Sequence, residues 1–368
     1  SCELTGAADC PSGEHVVDVG GGQIRCVAPD ATVCGVADLA DDDQANVSNA
    51  ATSCQFESNG VTVPGQCHVP PTGAMLCVPS CSPNTGEFCA NPSSMCQATG
   101  IIGEPTTTGL CLAASTYQAA SHCPGGTFPV DQGNGSFACV TPSVAGCVSG
   151  AGENGQPVYV TPGTGCSFTY EGIAVNGVCL DKGDVVICVD DCSTASVDDN
   201  DIIVAGQSCT NPNSQCLASG LIGAANTFGS CIPAAQFTAA DQCQTGFFSV
   251  DGGDGNFLCI APSLLECNAA DLSDDNQANS SNLGDGCTYT HDGNTVAGKC
   301  FGTAPGALAC VATCAPATVN ENDSINSATL CTNPNSTCQA SGVIGVEETV
   351  GVCISSDTFM AASDCPSG

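Results

Sequence analysis

CTNPNSTCQASGVIGVEETVGVCISSDTFMAASDC, at Cys331–Cys365, occurs twice more in the chain. It reads CTNPNSQCLASGLIGAANTFGSCIPAAQFTAADQC at Cys209–Cys243 and CANPSSMCQATGIIGEPTTTGLCLAASTYQAASHC at Cys89–Cys123. Each copy is 35 residues long, with cysteines at offsets 7, 22 and 34 from the first and no gap. A fixed period of this kind marks a repeat architecture and decides the fold class before any local reading.

Working outward, the copies close three tandem repeats, 11–123, 124–243 and 244–368, after an N-terminal stub at 1–10. A phase opening at Cys2, Cys111, Cys231 and Cys353 also fits. The repeats run about 110–122 residues each, with ten cysteines apiece at nearly constant steps. The first repeat is shorter at one place: SPNTGEF lies between Cys81 and Cys89, against STASVDDNDIIVAGQS between Cys192 and Cys209. Ten cysteines permit five internal bridges, and spacing alone leaves the pairing open. The residues expected to be bridged in the organising stretch are Cys89, Cys96, Cys111, Cys123, Cys209, Cys216, Cys231, Cys243, Cys331, Cys338, Cys353 and Cys365.

The composition agrees with stapling. Of 368 residues 32 are Cys, none is Trp, and 16 are Phe or Tyr, so each module has few large side chains from which to build a core. That density in small modules predicts disulfides and a secreted, extracellular or cell-surface protein. The competing reading is a reduced, metal-loaded chain, but zinc sites favour short CxxC pairs and none is present. Ser1 and the polar start predict a mature chain whose signal peptide has been removed. No run of eighteen apolar residues predicts a membrane span. A net charge of −34 with only Arg25, Lys182 and Lys299 basic argues against nucleic acid and anionic membranes as partners.

The local patterns are those of short strands. GFFSVDGGDGNFLCIAP (246–262) and GTFPVDQGNGSFACVTP (126–142) each show two apolar runs around a Gly/Asp/Asn turn, which predicts a hairpin. A three-stranded unit follows in 54–81, 166–192 and 287–314, with turns at Asn59-Gly60, Glu171-Gly172 and Asp292-Gly293. The organising stretch adds Asn-Pro and Ser-Gly turns and an Ala-rich end that predicts one or two helical turns. The expected fold is therefore mainly β, with small disulfide-rich modules in tandem, short hairpins and one short helix per repeat.

Few residues suggest chemistry. ADLADDDQANVSN (37–49) recurs as ADLSDDNQANSSN (270–282) but not in the middle repeat. Asp38, Asp41, Asp42 and Asp43, with Asp271, Asp274 and Asp275, are weak calcium candidates, and calcium is the only cofactor the sequence suggests. The runs lack the EF-hand glycine and closing glutamate, and they read more readily as solvated loops or short helix starts with acidic residues near the N-terminus. Asn46, Asn134, Asn279, Asn322 and Asn335 head glycosylation sequons, so a glycoprotein is a further expectation. His15, His68, His122 and His291 do not recur at matched positions, and no GxSxG, HExxH or phosphate loop is present. The CxxxC pairs at Cys77–Cys81, Cys188–Cys192 and Cys310–Cys314 read as bridged cysteines, not as a redox motif.

ADCPSG (8–13) recurs as SDCPSG (363–368), placing the two ends of the sequence in the same repeat phase. Repeats with thin cores stack on neighbours, and two explanations fit the matched ends: a segment of a longer tandem array, or a protomer whose open head-to-tail contact with other copies generates a helical filament. The sequence thus predicts a non-enzymatic structural protein, a subunit of a surface filament, stalk or coat whose partners are copies of itself. The alternative is a cell-surface adhesin or binding module, with calcium at the acidic runs.

Overall fold

The computed structural model describes residues 6–34, 50, 52–70, 74–113, 115–152, 154–197, 203–253, 255–268, 283–304, 307–316, 318–319, 325–326, 328–340, 344, 349 and 351–355. Short antiparallel strands dominate them. Two compact units emerge: Ser1–Asp190 with Thr210–Asn213, and Asp191–Cys209 with Ser214–Gly368.

The same three β pieces recur in each repeat. An entry hairpin comes first: His15–Gly20 with Gln23–Val27, Phe128–Asp131 with Phe137–Val140, and Phe248–Gly253 with Asn256–Ile260. A three-stranded middle sheet follows, its strands in chain order. It is built from Ser53–Ser58, Val61–His68 and Leu76–Val78; from Gly165–Tyr170, Ile173–Asp181 and Val186–Val189; and from Gly286–His291, Asn294–Ala304 and Ala307–Val311. The organising stretch then forms most of a closing sheet whose last strand in sequence is central. Its central strands are Gly109–Ala113, Gly229–Pro233 and Gly351–Ser355. Ser80–Cys81, Asp191–Cys192 and Thr313–Cys314 lie on one side, and Ser94–Ala98, Ser214–Ala218 and Ser336–Ala340 form the opposite edge.

Turn chemistry sets the middle sheet. Asn59, Glu171 and Asp292 have φ of 50°, 49° and 49°, and the glycines after them have φ of 79°, 79° and 73°. Positive φ at both central positions is the type I′ turn, whose twist matches that of the flanking strands. The longer spacer of the second and third repeats folds into strand pairs, Ser196–Val197 with Ile203–Val204 and Thr318–Val319 with Ile325–Asn326. In the first repeat a single bridge, Ser82 to Glu87, closes the short version. The middle repeat has a hairpin, Val148–Ala151 with Pro157–Tyr159, where the other two carry acidic runs.

Fifteen disulfides join thirty described cysteines in one pattern used three times. In the first repeat they are Cys10–Cys26, Cys34–Cys67, Cys54–Cys77, Cys81–Cys96 and Cys89–Cys111. The second has Cys123–Cys139, Cys147–Cys179, Cys166–Cys188, Cys192–Cys216 and Cys209–Cys231. The third has Cys243–Cys259, Cys267–Cys300, Cys287–Cys310, Cys314–Cys338 and Cys331–Cys353. One simple bridge is thus followed by two interlaced pairs. Cys2 and Cys365 lie outside the described residues.

A glycine two residues before a cysteine makes the interlacing possible. In every middle and closing sheet one cystine ties the two outer strands across the centre strand, such as Cys54–Cys77 over Gly65 and Cys81–Cys96 over Gly109. A side chain there would collide with the bridge: a Cβ on Gly109 would lie 2.6 Å from Cys96 Sγ, and one on Gly351 would lie 2.7 Å from Cys314 Sγ. Gly177 and Gly298 are closed off by the carbonyls of Val189 and Val311. The centre-strand cysteine of the same G-x-C then bonds a loop cysteine, as in Cys34–Cys67 and Cys89–Cys111.

Sulfur carries much of the core. Seven of the fifteen buried residues in the largest cluster of the first unit are half-cystines, packed with Phe128, Tyr170 and Val175. A second cluster there is four cysteines and Met75. In the second unit Ala309, Val311, Val352 and Ile354 pack with Leu221, Leu264 and Phe301.

At the two Ala-rich repeat ends that are described the expected helix does not form; the third, within 356–365, lies outside the described residues. The Ala-rich ends give lone 3₁₀ turns at Ala120–His122 and Ala240–Gln242, like that at Ala7–Asp9 in the stub. Cys123 and Cys243 follow at once with extended backbone, and each is bridged sixteen residues onward. Three residues cannot repay helix nucleation when the next must be extended. Among the described residues no helix is long and apolar enough to cross a membrane.

Candidate inter-repeat junction

The second residue after the first cysteine of each organising stretch is an asparagine buried to 2 % exposure or less: Asn91, Asn211 and Asn333. Each ties its loop to the start of the entry hairpin, 80, 87 and 89 residues upstream in the three repeats. The Asn211 amide donates to Pro124 O at 2.8 Å and Thr127 O at 3.2 Å, and its Oδ1 accepts from the Asn213 N–H at 2.9 Å. Asn333 donates to Gln244 O and Phe247 O, and Asn91 to Pro11 O. What reads in sequence as an Asn-Pro turn is a latch that closes the repeat on itself.

The latch presents the closing sheet's edge strand to the next repeat. An open strand edge exposes unpaired N–H and C=O groups. In the first unit Cys96 is such an edge residue, and its N–H donates to both carboxylate oxygens of Glu171 at 3.1 and 3.2 Å. The Tyr170 hydroxyl donates to Cys96 O at 3.0 Å, and Phe88 meets the Tyr170 ring edge-on, 6.2 Å between centroids. In the second unit the Cys216 N–H donates to Asp292 Oδ2 at 2.8 Å. His291 Nε2 lies 3.0 Å from Cys216 O, to which it donates as the protonated nitrogen. The capping pair is thus the residue before the middle-sheet turn and the turn's first residue. An acidic side chain held at positive φ is a strained choice, and its carboxylate here is the acceptor for an otherwise orphaned N–H.

A second link is made by backbone alone. The Ile102 N–H donates to Pro142 O at 2.8 Å and its carbonyl accepts from the Val144 N–H at 3.0 Å. Ile222 does the same with Pro262 and Leu264, at 2.9 Å each. Both isoleucines are buried, at 9 % and 0 % exposure.

Burial sets the electrostatics. It pushes the Glu171 carboxyl above its usual range, against the opposing pull of the Cys96 N–H. Burial, then the neighbouring Glu171 charge, pushes Tyr170 up. Burial lowers His291, outweighing its bond to Cys216 and the nearby Asp292. His15 and His68 are likewise lowered by burial, His15 bonding Cys77 O and packing edge-on against Phe56.

The other expected sites are placed as follows. Asp38, Asp41, Asp42, Asp43, Asp271, Asp274 and Asp275 lie outside the described residues, as do Asn46, Asn279 and Asn322. Asn134 is exposed on the second entry hairpin, where its Oδ1 accepts from the Ser136 N–H. The amide of Asn335 is bonded to Asp241 O. His122 Nδ1 accepts from the Gln118 N–H. The cysteines of each CxxxC pair belong to two separate bridges. Sulfur trios such as Cys34, Cys54 and Cys77 come together because two cystines stack. Each of those sulfurs is held in a disulfide, Cys34 with Cys67 and Cys54 with Cys77, and is not the thiolate a metal takes. Comparison with protein-family models, with curated proteins and with solved structures found no match for this chain.

Proposed function

We propose that the protein is a secreted structural protein, a subunit of a surface filament, stalk or coat whose strength is covalent. The observation that carries this reading is the junction used twice: Glu171 and Tyr170 on Cys96, Asp292 and His291 on Cys216. A closing sheet whose edge is capped by the following repeat is a head-to-tail device, and repeating it extends an array. The cystine framework suits an oxidising, extracellular location, and bridged cysteines with scattered histidines suit a mechanical role better than a catalytic one. Electron microscopy of the purified, oxidised protein from low to high salt tests the proposal. Extended filaments or strings of modules are expected. Dispersed compact monomers under every condition would overturn it.

A further inference from the structure

Cavities stand at one equivalent place in the first and third repeats. Each lies where the entry hairpin begins, against the last two strands of the middle sheet and the central strand of the closing sheet. Pro29, His68, Val78 and Leu112 line the first, and Pro262, Phe301, Val311 and Ile354 hold the matching positions in the third. The third-repeat cavity gains two more apolar walls, Phe247 and, from the second repeat, Leu221. Its volume is about 230 Å³, against about 140 Å³ in the first. All its lining residues lie within the second compact unit.

The walls of the larger cavity say what it can hold. Phe247, Val311 and Ile354 are buried, at 7 %, 3 % and 5 % exposure, while Leu221 and Phe301 are half-buried and the space opens to solvent. No charged side chain lines it among the described residues. Its polar groups are already engaged: the Thr245 hydroxyl donates to Asn335 O, the Gly246 N–H to Ser336 Oγ, and the Cys353 N–H to Ala312 O. Water there lacks the two to four partners it needs, and apolar cavities of about 150 Å³ stay dry and bind benzene. A charged guest fares worse, because it would give up its hydration for a wall with no counter-charge. The net charge of −34 adds repulsion for an anion. The first-repeat cavity differs in kind: His68 replaces Phe301, and its Nε2 is buried without a hydrogen-bond partner, so a hydrocarbon guest would leave it unsatisfied.

We infer that the third-repeat cavity is a binding site for a small uncharged aromatic molecule, one or two fused rings in size, held against Phe247 and Phe301. Aromatic rings packed edge-to-face or offset favour such a guest over an aliphatic one of equal area. The site gives the protein a binding activity beyond the structural role proposed above and is independent of how repeats or copies join.

The test is titration of the oxidised protein with indole, followed by saturation-transfer NMR and intermolecular NOEs. One saturable site is expected, with a Kd below about 1 mM, which a two-ring ligand reaches at ordinary efficiency. NOEs from indole to the Leu221 and Ile354 methyls are expected in the wild type, a readout that needs no substitution. Phe301→His copies the first repeat, and Leu221→Asp sets a carboxylate in the wall; each is expected to weaken binding at least about tenfold with an unchanged disulfide map. Benzoate, an aromatic ring with a charge, is expected to bind at least about tenfold more weakly than indole. Absence of saturable indole binding would show the cavity closed by the chain's own side chains and overturn the inference. NOEs confined to other residues, or wild-type affinity in both variants, would place the guest elsewhere and overturn it too. Benzoate binding as tightly as indole would refute the uncharged class.

Discussion

Replacing Asn211 probes the latch that orients each closing sheet. Asn211→Ala removes three well-formed hydrogen bonds, two to the carbonyls of Pro124 and Thr127 and one from the Asn213 N–H, together with a long one of 3.4 Å to the Thr127 hydroxyl. The site is fully buried, so the orphaned groups gain no water. At about 1 kcal/mol net for each bond the loss is about 3 kcal/mol, a fall of about 6–12 °C in the melting temperature of a unit of this size. Asn211→Asp separates hydrogen bonding from simple space filling. It keeps the acceptor for Asn213 but turns a carboxylate oxygen toward two carbonyls, so at pH 7 it is expected to fall at least about 1 kcal/mol below the alanine variant. Burial raises the new carboxyl, so its deficit shrinks as pH falls and the group protonates. Differential scanning calorimetry with disulfides intact, at pH 7 and pH 4, reads both effects. An alanine variant melting within about 1 °C of wild type, or an aspartate variant at pH 7 as stable as alanine, would refute the latch.

Three further outcomes are expected. Gly229→Ala places a Cβ 2.6 Å from Cys192 Sγ, and overpacking of this kind costs about 1–3 kcal/mol. The same change at Gly133, where a Cβ meets nothing within 4 Å but φ is 73°, acts through backbone strain alone, so only Gly229→Ala should slow reoxidation to the Cys192–Cys216 pairing in peptide maps. The two junctions should also answer acid in opposite senses. His291 is lowered from 6.5, so its junction is whole above that pH and weakens as pH falls toward the lowered value, when the unfolded state takes the proton first. Glu171 is raised from 4.5, so its contribution is complete below 4.5 and lost as pH rises through the raised value. Hydrogen exchange, corrected for intrinsic rate, should show the Cys216 amide less protected at pH 5 than at pH 7 and the Cys96 amide no less protected; the reverse order would contradict this assignment.

The repeat, the strand class and the turn positions were legible because each rests on local spacing. Asn59-Gly60, Glu171-Gly172 and Asp292-Gly293 announce their turns by residue type, and the structure places positive φ at all six. The bridge partners were not legible, since they depend on which strands lie side by side. Even so, the signal for the interlacing stands in the sequence: Gly65, Gly109, Gly177, Gly229, Gly298 and Gly351 each precede a cysteine by two residues. The junction was half hidden. Glu171 and Asp292 read as turn residues, and nothing local says that their carboxylates reach Cys96 and Cys216 in the preceding repeat. The helix was misread because alanine favours helix locally while the cystine at Cys123 or Cys243 holds the next residue extended.

Peptide mapping of the unreduced protein tests the account most directly, because every part of it depends on cystines standing where a large apolar core would otherwise be. The map is expected to recover, three times over, one simple bridge and two interlaced pairs, such as Cys123–Cys139, Cys147–Cys179 with Cys166–Cys188, and Cys192–Cys216 with Cys209–Cys231. Free thiols or bound metal at most of these positions, or a pairing that differs from repeat to repeat, would contradict it.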